Sequence, residues 1–229
     1  MTDRAARVAG FALILSFVTV VAVNFGVLGR LMTGDSAEIA HNVLEHQTLF
    51  RVGLVGQIAY CLGVLVVSAG FYVVLRPVDP LLAMLAMLGR IVHGITWLLV
   101  SLNLFTALRL LTRPEYGQAV PPEMLPALAR LYLSGGDQYY AGLLFWSLGS
   151  VAGAFAWLRS GYVPRWLAWF GIAGSAWAAL CCLAFFVSPD FKNIVNLWWF
   201  DVPLALFELA LAFLLVARGL GKRDSPLSG

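Results

Sequence analysis

Charge is what this sequence has least of. Of its 229 residues, 15 are Lys or Arg and 12 are Asp or Glu, so 12% are charged while 61% are hydrophobic. A soluble domain of ordinary composition carries roughly 25% charged and about 45–50% apolar residues. With a mean hydropathy of +0.85, the chain has more apolar surface than one aqueous core can cover. That excludes soluble enzymes and disordered tails. The net charge of +3 is dispersed along the chain and makes no basic patch, which excludes a nucleic-acid partner. Cysteine is scarce as well: Cys61 and the adjacent Cys181 and Cys182, all inside apolar runs. An odd number so placed is neither a disulfide framework nor a metal knuckle, and the three read as small, soft hydrophobes. Nucleophile-elbow, P-loop, His-Glu-x-x-His and haem-attachment motifs are all missing. An enzyme assignment therefore has no motif behind it, and no cofactor is implied.

What is present is apolar sequence in long runs. A membrane-spanning helix needs about 20 mostly apolar residues, and six stretches supply them, at 8–29, 52–75, 81–108, 138–158, 164–188 and 199–218. The expected fold is all-α: one polytopic domain over 1–229, with six transmembrane helices. The first run continues past Asn24 to Leu28 with no small-x-small cleavage site after it, so it reads as a retained helix, not a signal peptide. Lys and Arg in the connections set the expected orientation. With the N-terminus in the cytoplasm, eight fall inside (Arg4, Arg7, Arg76, Arg159, Arg165, Arg218, Lys222, Arg223) and six outside (Arg30, Arg51, Arg109, Arg113, Arg130, Lys192). Asp3, Asp79 and Asp224 are the inner acids, against eight outer ones. The expectation is a multi-pass protein of the bacterial inner membrane with both termini cytoplasmic.

The two longer outer connections carry helix signals. Asp35-Ser36-Ala37-Glu38 has the form of a capping box. The second segment opens at Pro121-Pro122 and places Met124, Leu125, Leu128, Leu131 and Tyr132 on one apolar stripe. Short amphipathic helices on the outer surface fit both, with Gly135-Gly136 turning the chain back toward the membrane.

Three motifs in order bear a family likeness: Asp35 to Arg51, Tyr72 to His93 with its Leu-Arg-Pro-Val-Asp turn and Arg-Ile-Val-His, and Arg159-Ser160-Gly161-Tyr162-Val163-Pro164-Arg165. Together with the span layout, they resemble the bacterial membrane family filed as domain of unknown function 4386, over nearly the whole chain. The resemblance implies a six-helix membrane protein. It implies no reaction, because the family has no assigned chemistry or catalytic residues to carry over.

Candidate site residues are the expensive ones. A charge near the bilayer centre costs about 2.5–3.5 kcal/mol on insertion scales, so it pairs or lines a cavity. Two lie deep in spans, Arg90 and Glu208. Arg90 is ten residues past Pro80 and Glu208 ten before Arg218, each about 15 Å from the same end. Matched depth predicts an ion pair between the third and sixth helices. His93, Trp97 and Ser101 lie on or beside the Arg90 face, and Asp201 is two turns from Glu208 on nearly the same stripe. A second polar layer holds Asn24, Gln57 and Asn103, with Asp137, Gln138, Tyr139 and Tyr140 opening helix four. Interhelical hydrogen bonding is the ordinary use of such amides.

Glu38, His41 and Glu45 share one helical face and have the residue types of a carboxylate metal site, although a solvated helix face explains them more simply. Gly149 and Gly153 form Gly-x-x-x-Gly, and Gly171 and Gly174 follow in helix five, a pattern of close helix packing. Trp166, Trp169, Trp198 and Trp199 sit near span ends, where aromatic residues anchor depth.

The leading functional expectation is a non-enzymatic membrane protein that binds, and by extension transports, a small apolar or amphiphilic molecule in an intramembrane cavity. Arg90, Glu208, His93, Trp97 and Asp201 are its expected ligand-binding residues, and membrane lipid its expected surroundings. The alternatives are an accessory subunit docked on a membrane-protein partner, and a membrane-embedded enzyme or metal-dependent site.

Overall fold

The computed structural model describes residues 2–113, 115, 121–133, 136–188 and 190–220. Gly135, Lys222, Arg223 and Asp224 lie outside the described residues, as do the side chains of Asp137, Lys192 and Trp198. Among the described residues, six stretches are long and apolar enough to cross a membrane: Thr2–Leu31, Gln47–Leu75, Pro80–Thr112, Leu125–Ser160, Arg165–Val187 and Trp199–Arg218. Among the described residues there is no strand. Hydrocarbon offers no hydrogen bonds, so an apolar run must satisfy its backbone internally, and a helix does this within one segment. The protein is a multi-pass, all-α membrane protein.

The longer helices among the described residues are α1 (Thr2–Val21), α2 (Ser36–Glu45), α3 (Gln47–Leu75), α4 (Pro80–Thr112), α5 (Leu125–Leu133), α6 (Gly136–Ser160), α7 (Arg165–Val187) and α8 (Leu197–Arg218). Several outrun the apolar stretches that announce them, because a helix ends at a cap or breaker and not where its sequence turns polar. Thus α4 begins at Pro80, whose missing N–H costs nothing in the first helical turn. Asp79 caps it, accepting from the backbone N–H groups of Leu81 (3.1 Å) and Leu82 (3.0 Å). At the far end of α6, Gly161 adopts φ +67°, a conformation open to glycine at little cost.

By contacts the chain forms two compact units. The first comprises Met1–Ser16, Leu62–Gly94 and Tyr140–Gly229. Its interfaces are built from small residues, as expected where lipid removes the hydrophobic incentive and close packing must supply the attraction. Gly10 of α1 lies against Ala212 and Leu215 of α8, Gly70 of α3 against Ala9, and Gly171 and Gly174 of α7 against Phe207 and Pro203 of α8. The buried face of α7 is Leu167, Ala168, Gly171, Gly174, Ser175, Ala178, Ala179, Cys181, Cys182 and Phe185. Most of its large apolar residues, Trp166, Trp169, Phe170, Trp177, Leu180, Leu183, Phe186 and Val187, are exposed. Pro203 sits inside α8 and has no N–H for the carbonyl four residues earlier. That carbonyl, of Trp199, instead accepts from the Trp177 indole N–H at 3.2 Å.

Asp79 also meets Arg159, at the end of α6, at 2.5 Å. The Leu82 N–H first, then the Arg159 guanidinium, hold the Asp79 carboxyl below its ordinary value of 3.8 and outweigh its partial desolvation. A depressed carboxyl contributes stability above its unfolded value and loses it as pH falls through the folded one. Asp79→Ala is therefore expected to lower the melting temperature at neutral pH, with the gap to wild type closing below pH 3.8. Melting curves against pH check this, and a gap independent of pH would contradict it.

The second unit comprises Phe17–Cys61 and Ile95–Tyr139. After Val21 the first span continues through a π-helical stretch, Ala22–Leu28, and a final turn, Gly29–Leu31. The wider turn, in which Gly29 N–H donates to the Asn24 carbonyl, was not legible in the sequence. The core of this unit is Val23, Leu28, Leu31, Ile39, Val43, Phe50, Leu54, Leu104 and Leu108. The Asp35 capping box forms as expected: its carboxylate accepts from Ala37 N–H (2.8 Å) and Glu38 N–H (2.9 Å), and Glu38 accepts from Asp35 N–H (2.9 Å). Helix α5 packs against α2, and its fully buried residue is Ala129. Leu131 and Tyr132 of α5 and Met124 in the turn before it are exposed, while Leu125 and Leu128 of the same stripe are half-buried.

Candidate functional site

Two helical stripes in the first unit create the site. On α4, Ala86, Gly89, Arg90 and His93 follow the i, i+3, i+4, i+7 spacing of one face, and on α6, Trp146, Gly149, Ser150 and Gly153 repeat it. The stripes meet at glycine. A Cβ on Gly89 would stand 2.8 Å from the Gly149 Cα, and one on Gly153 3.3 Å from Ala86 Cβ. This backbone approach brings the residues next to the glycines, Arg90 and Ser150, within reach of α8.

Arg90 Nη2 donates to Glu208 Oε1 and forms the buried ion pair; the two residues are 7% and 2% exposed. Ser150 Oγ donates to the same carboxylate oxygen at 3.1 Å. The guanidinium also lies over the Phe71 ring of α3, 5.0 Å from its centroid, and 6.0 Å from that of Trp146. Aromatic faces favour a cation that has been removed from water. His93 is buried, its ring 4.8 Å from that of Trp146 and hydrogen-bonded to the Gly142 backbone. Glu208 Oε2 and Trp146 Nε1 are buried without a hydrogen-bond partner among the described residues.

The expected residues divide accordingly. Arg90 and Glu208 are joined, and His93 stands beside them through Trp146. Asp201 lies about 10 Å along α8 from Glu208, two turns away, with Oδ1 buried. Trp97 belongs to the second unit, edge-on to Tyr60 (5.4 Å) and Tyr139 (5.8 Å). In that unit Ser101 Oγ donates to Gln57 Oε1 (2.9 Å), Gln57 Nε2 to Asn24 Oδ1 (3.4 Å), and Asn103 Nδ2 to Gln138 Oε1 (3.1 Å). Sequence reasoning missed Ser150, Trp146 and Phe71. The i, i+3, i+4, i+7 match between Gly149-Ser150 and Gly89-Arg90 would have found the first two; nothing in the sequence points to Phe71.

The metal candidates have other occupations. Glu38 closes the capping box, and His41 Nε2 lies 3.4 Å from Glu45 Oε2 on an exposed face. Among the described residues, no three His, Cys, Asp or Glu side chains gather as a metal site would require.

The family model described as domain of unknown function (DUF4386) matches residues 8–219. No curated protein and no solved structure matches the chain.

Proposed function

Because the chain belongs to the DUF4386 family, whose description names no chemistry, we propose a function from the site's own geometry: the protein binds a small amphiphilic molecule at the Arg90–Glu208 pair. The observation that carries this reading is the buried Glu208 carboxylate, with one oxygen engaged by Arg90 and Ser150 and the other without a partner among the described residues. A buried polar atom left unsatisfied costs about 1–3 kcal/mol, more when charged, and a polar head group offsets that cost. Phe71 and Trp146 supply an apolar margin beside it. His93 and Asp201 belong to the same unit and would border a bound molecule; Trp97 belongs to the second unit. Transport would follow if the occupant exchanges from either side of the membrane.

The test is co-purification. Protein extracted with its surrounding lipid in polymer discs is expected to carry one small apolar molecule per chain, identified by mass spectrometry. The double variant Arg90→Met/Glu208→Leu is expected to lose it while remaining folded. Equal retention by both proteins would refute the assignment.

The reading includes placement in a bacterial inner membrane with both termini cytoplasmic, supported by eight Lys and Arg against six in the connections. A reporter fused after Gly229 that matures only in the periplasm is expected to stay inactive. Activity there would reverse the orientation.

A further inference from the structure

We infer that the turn between α6 and α7 is a surface site for an anionic phospholipid. Arg159 and Arg165 hold its phosphate, and an acyl chain lies on Phe155 and Trp169. Sequence spacing and packing converge there. Phe155 and Arg159 are four residues apart on α6, and Arg165 and Trp169 four apart on α7. Each arginine therefore stands one turn from a ring on its own helix face. The two rings meet edge to face, with centroids 6.5 Å apart, and only residues 161–164 separate the helices. The ring contact thus brings the two arginine-bearing faces side by side. Room is open to the surroundings: Trp169 is 55% exposed and Phe155 36%, the Arg159 side chain is 63% exposed, and Arg165 is exposed as well.

Charge selects the ligand. The carboxylate beside this turn, Asp79, is already engaged: Oδ1 accepts from the N–H groups of Leu81 and Leu82, and Oδ2 from Arg159 Nη1. Asp79 N–H donates to the Leu75 carbonyl at 3.1 Å, closing a tight turn that also carries the exposed Arg76. Among the described residues, neither Arg76 nor Arg165 has an acidic partner. Three arginines against one carboxylate leave an excess of two positive charges, and a guanidinium fork matches phosphate oxygens. A zwitterionic head would bring its own ammonium into that excess. Position then selects a lipid over a free anion. Arg165 opens one membrane-spanning stretch and Arg159 stands next to the last residue of another, so both lie where a span meets the head groups. The exposed ring pair sits one turn inside that level, where an acyl chain can cover it and a soluble anion cannot.

The purified full-length protein, in maltoside micelles, is titrated with dioleoyl phosphatidylglycerol or dioleoyl phosphatidylcholine, and bound lipid is counted by native mass spectrometry. The expected result is saturable binding of one phosphatidylglycerol per chain, at least about tenfold tighter than phosphatidylcholine. A basic residue at a membrane surface contributes about fivefold. Arg165→Gln is therefore expected to weaken phosphatidylglycerol about fivefold, and Arg159→Gln/Arg165→Gln about thirtyfold. The single variant leaves the Arg159–Asp79 pair in place, so its melting temperature is expected to match wild type. Asp79→Asn keeps an oxygen to cap α4 but releases Arg159, and is expected to tighten phosphatidylglycerol binding. A purely structural pair would give no such gain. Arg51→Gln/Arg113→Gln removes two exposed arginines at the opposite ends of α3 and α4 and is expected to leave binding unchanged. Phosphatidylglycerol bound no tighter than phosphatidylcholine, binding indifferent to Arg165→Gln, or an equal loss in the Arg51/Arg113 variant would overturn the site. Displacement of the lipid by millimolar inorganic phosphate would assign these arginines to a free anion and overturn the phospholipid.

Discussion

Glu208→Leu is expected to lower the unfolding free energy by about 3–5 kcal/mol, because it leaves Arg90 charged and buried with its carboxylate partner gone. Ser150 would lose its acceptor in the same step. Adding Arg90→Met is expected to recover most of the loss: replacing a buried ion pair by apolar side chains of similar volume is often neutral or stabilising. The pair is thus a device that penalises its own half-removal while contributing little net stability. Unfolding in mixed micelles of increasing sodium dodecyl sulfate content, followed by tryptophan fluorescence, measures both variants. A cost below about 1 kcal/mol for the single variant would show that the guanidinium reaches water or another anion, and the pairing argument would fail. The double variant also matters for function, since it separates a folded protein from a binding one.

Gly89→Val carries the second large effect. A Cβ at that position would stand 2.5 Å from the Phe145 carbonyl oxygen and 2.8 Å from the Gly149 Cα. Both are backbone atoms that cannot rotate aside, so α4 and α6 must separate. Overpacking of this kind costs about 1–3 kcal/mol and sometimes more. Displacing Ser150 from Glu208 adds the loss of a charge-assisted hydrogen bond, about 1.5–3 kcal/mol. The sum is expected near 3 kcal/mol or above in the same micelle assay. Gly26→Ala is the internal control: a Cβ there meets nothing within 4 Å, and its stability is expected to match wild type closely. Equal stability of Gly89→Val and Gly26→Ala would mean the helices are not held at glycine contact.

These two expectations differ in how much of them the sequence contained. Arg90 and Glu208 were legible because charge is rare in this chain, and counting residues from Pro80 and from Arg218 put both at about the same depth. Depth follows from the rise of a helix, which the sequence determines once the ends are known. Azimuth around the bundle does not follow from it. The same counting assigned Trp97 to the Arg90 face, yet Trp97 packs with Tyr60 and Tyr139 in the second unit. A helix as long as α4 meets different neighbours along its length, so a shared stripe is no guarantee of a shared environment.

The α5 stripe teaches the complementary lesson. Met124, Leu125, Leu128, Leu131 and Tyr132 form the apolar stripe the sequence marked, but Met124, Leu131 and Tyr132 are exposed, and the fully buried residue of α5 is the small Ala129. Gly-x-x-x-Gly in α6 marked a packing face, but its partner, Gly89, was not identifiable without the neighbouring helix.

By itself, then, the sequence determined that this is a multi-pass helical membrane protein, where its spans run, and that two opposite charges lie at one level in the bilayer. Those follow from the cost of placing polar groups in hydrocarbon, which acts on each segment separately. Only the tertiary structure decided that Ser150, Trp146 and Phe71 complete the cluster, and that one oxygen of Glu208 stands without a partner among the described residues. Those depend on which faces of α4, α6 and α8 come together, a choice made by close contact of small residues on separate segments.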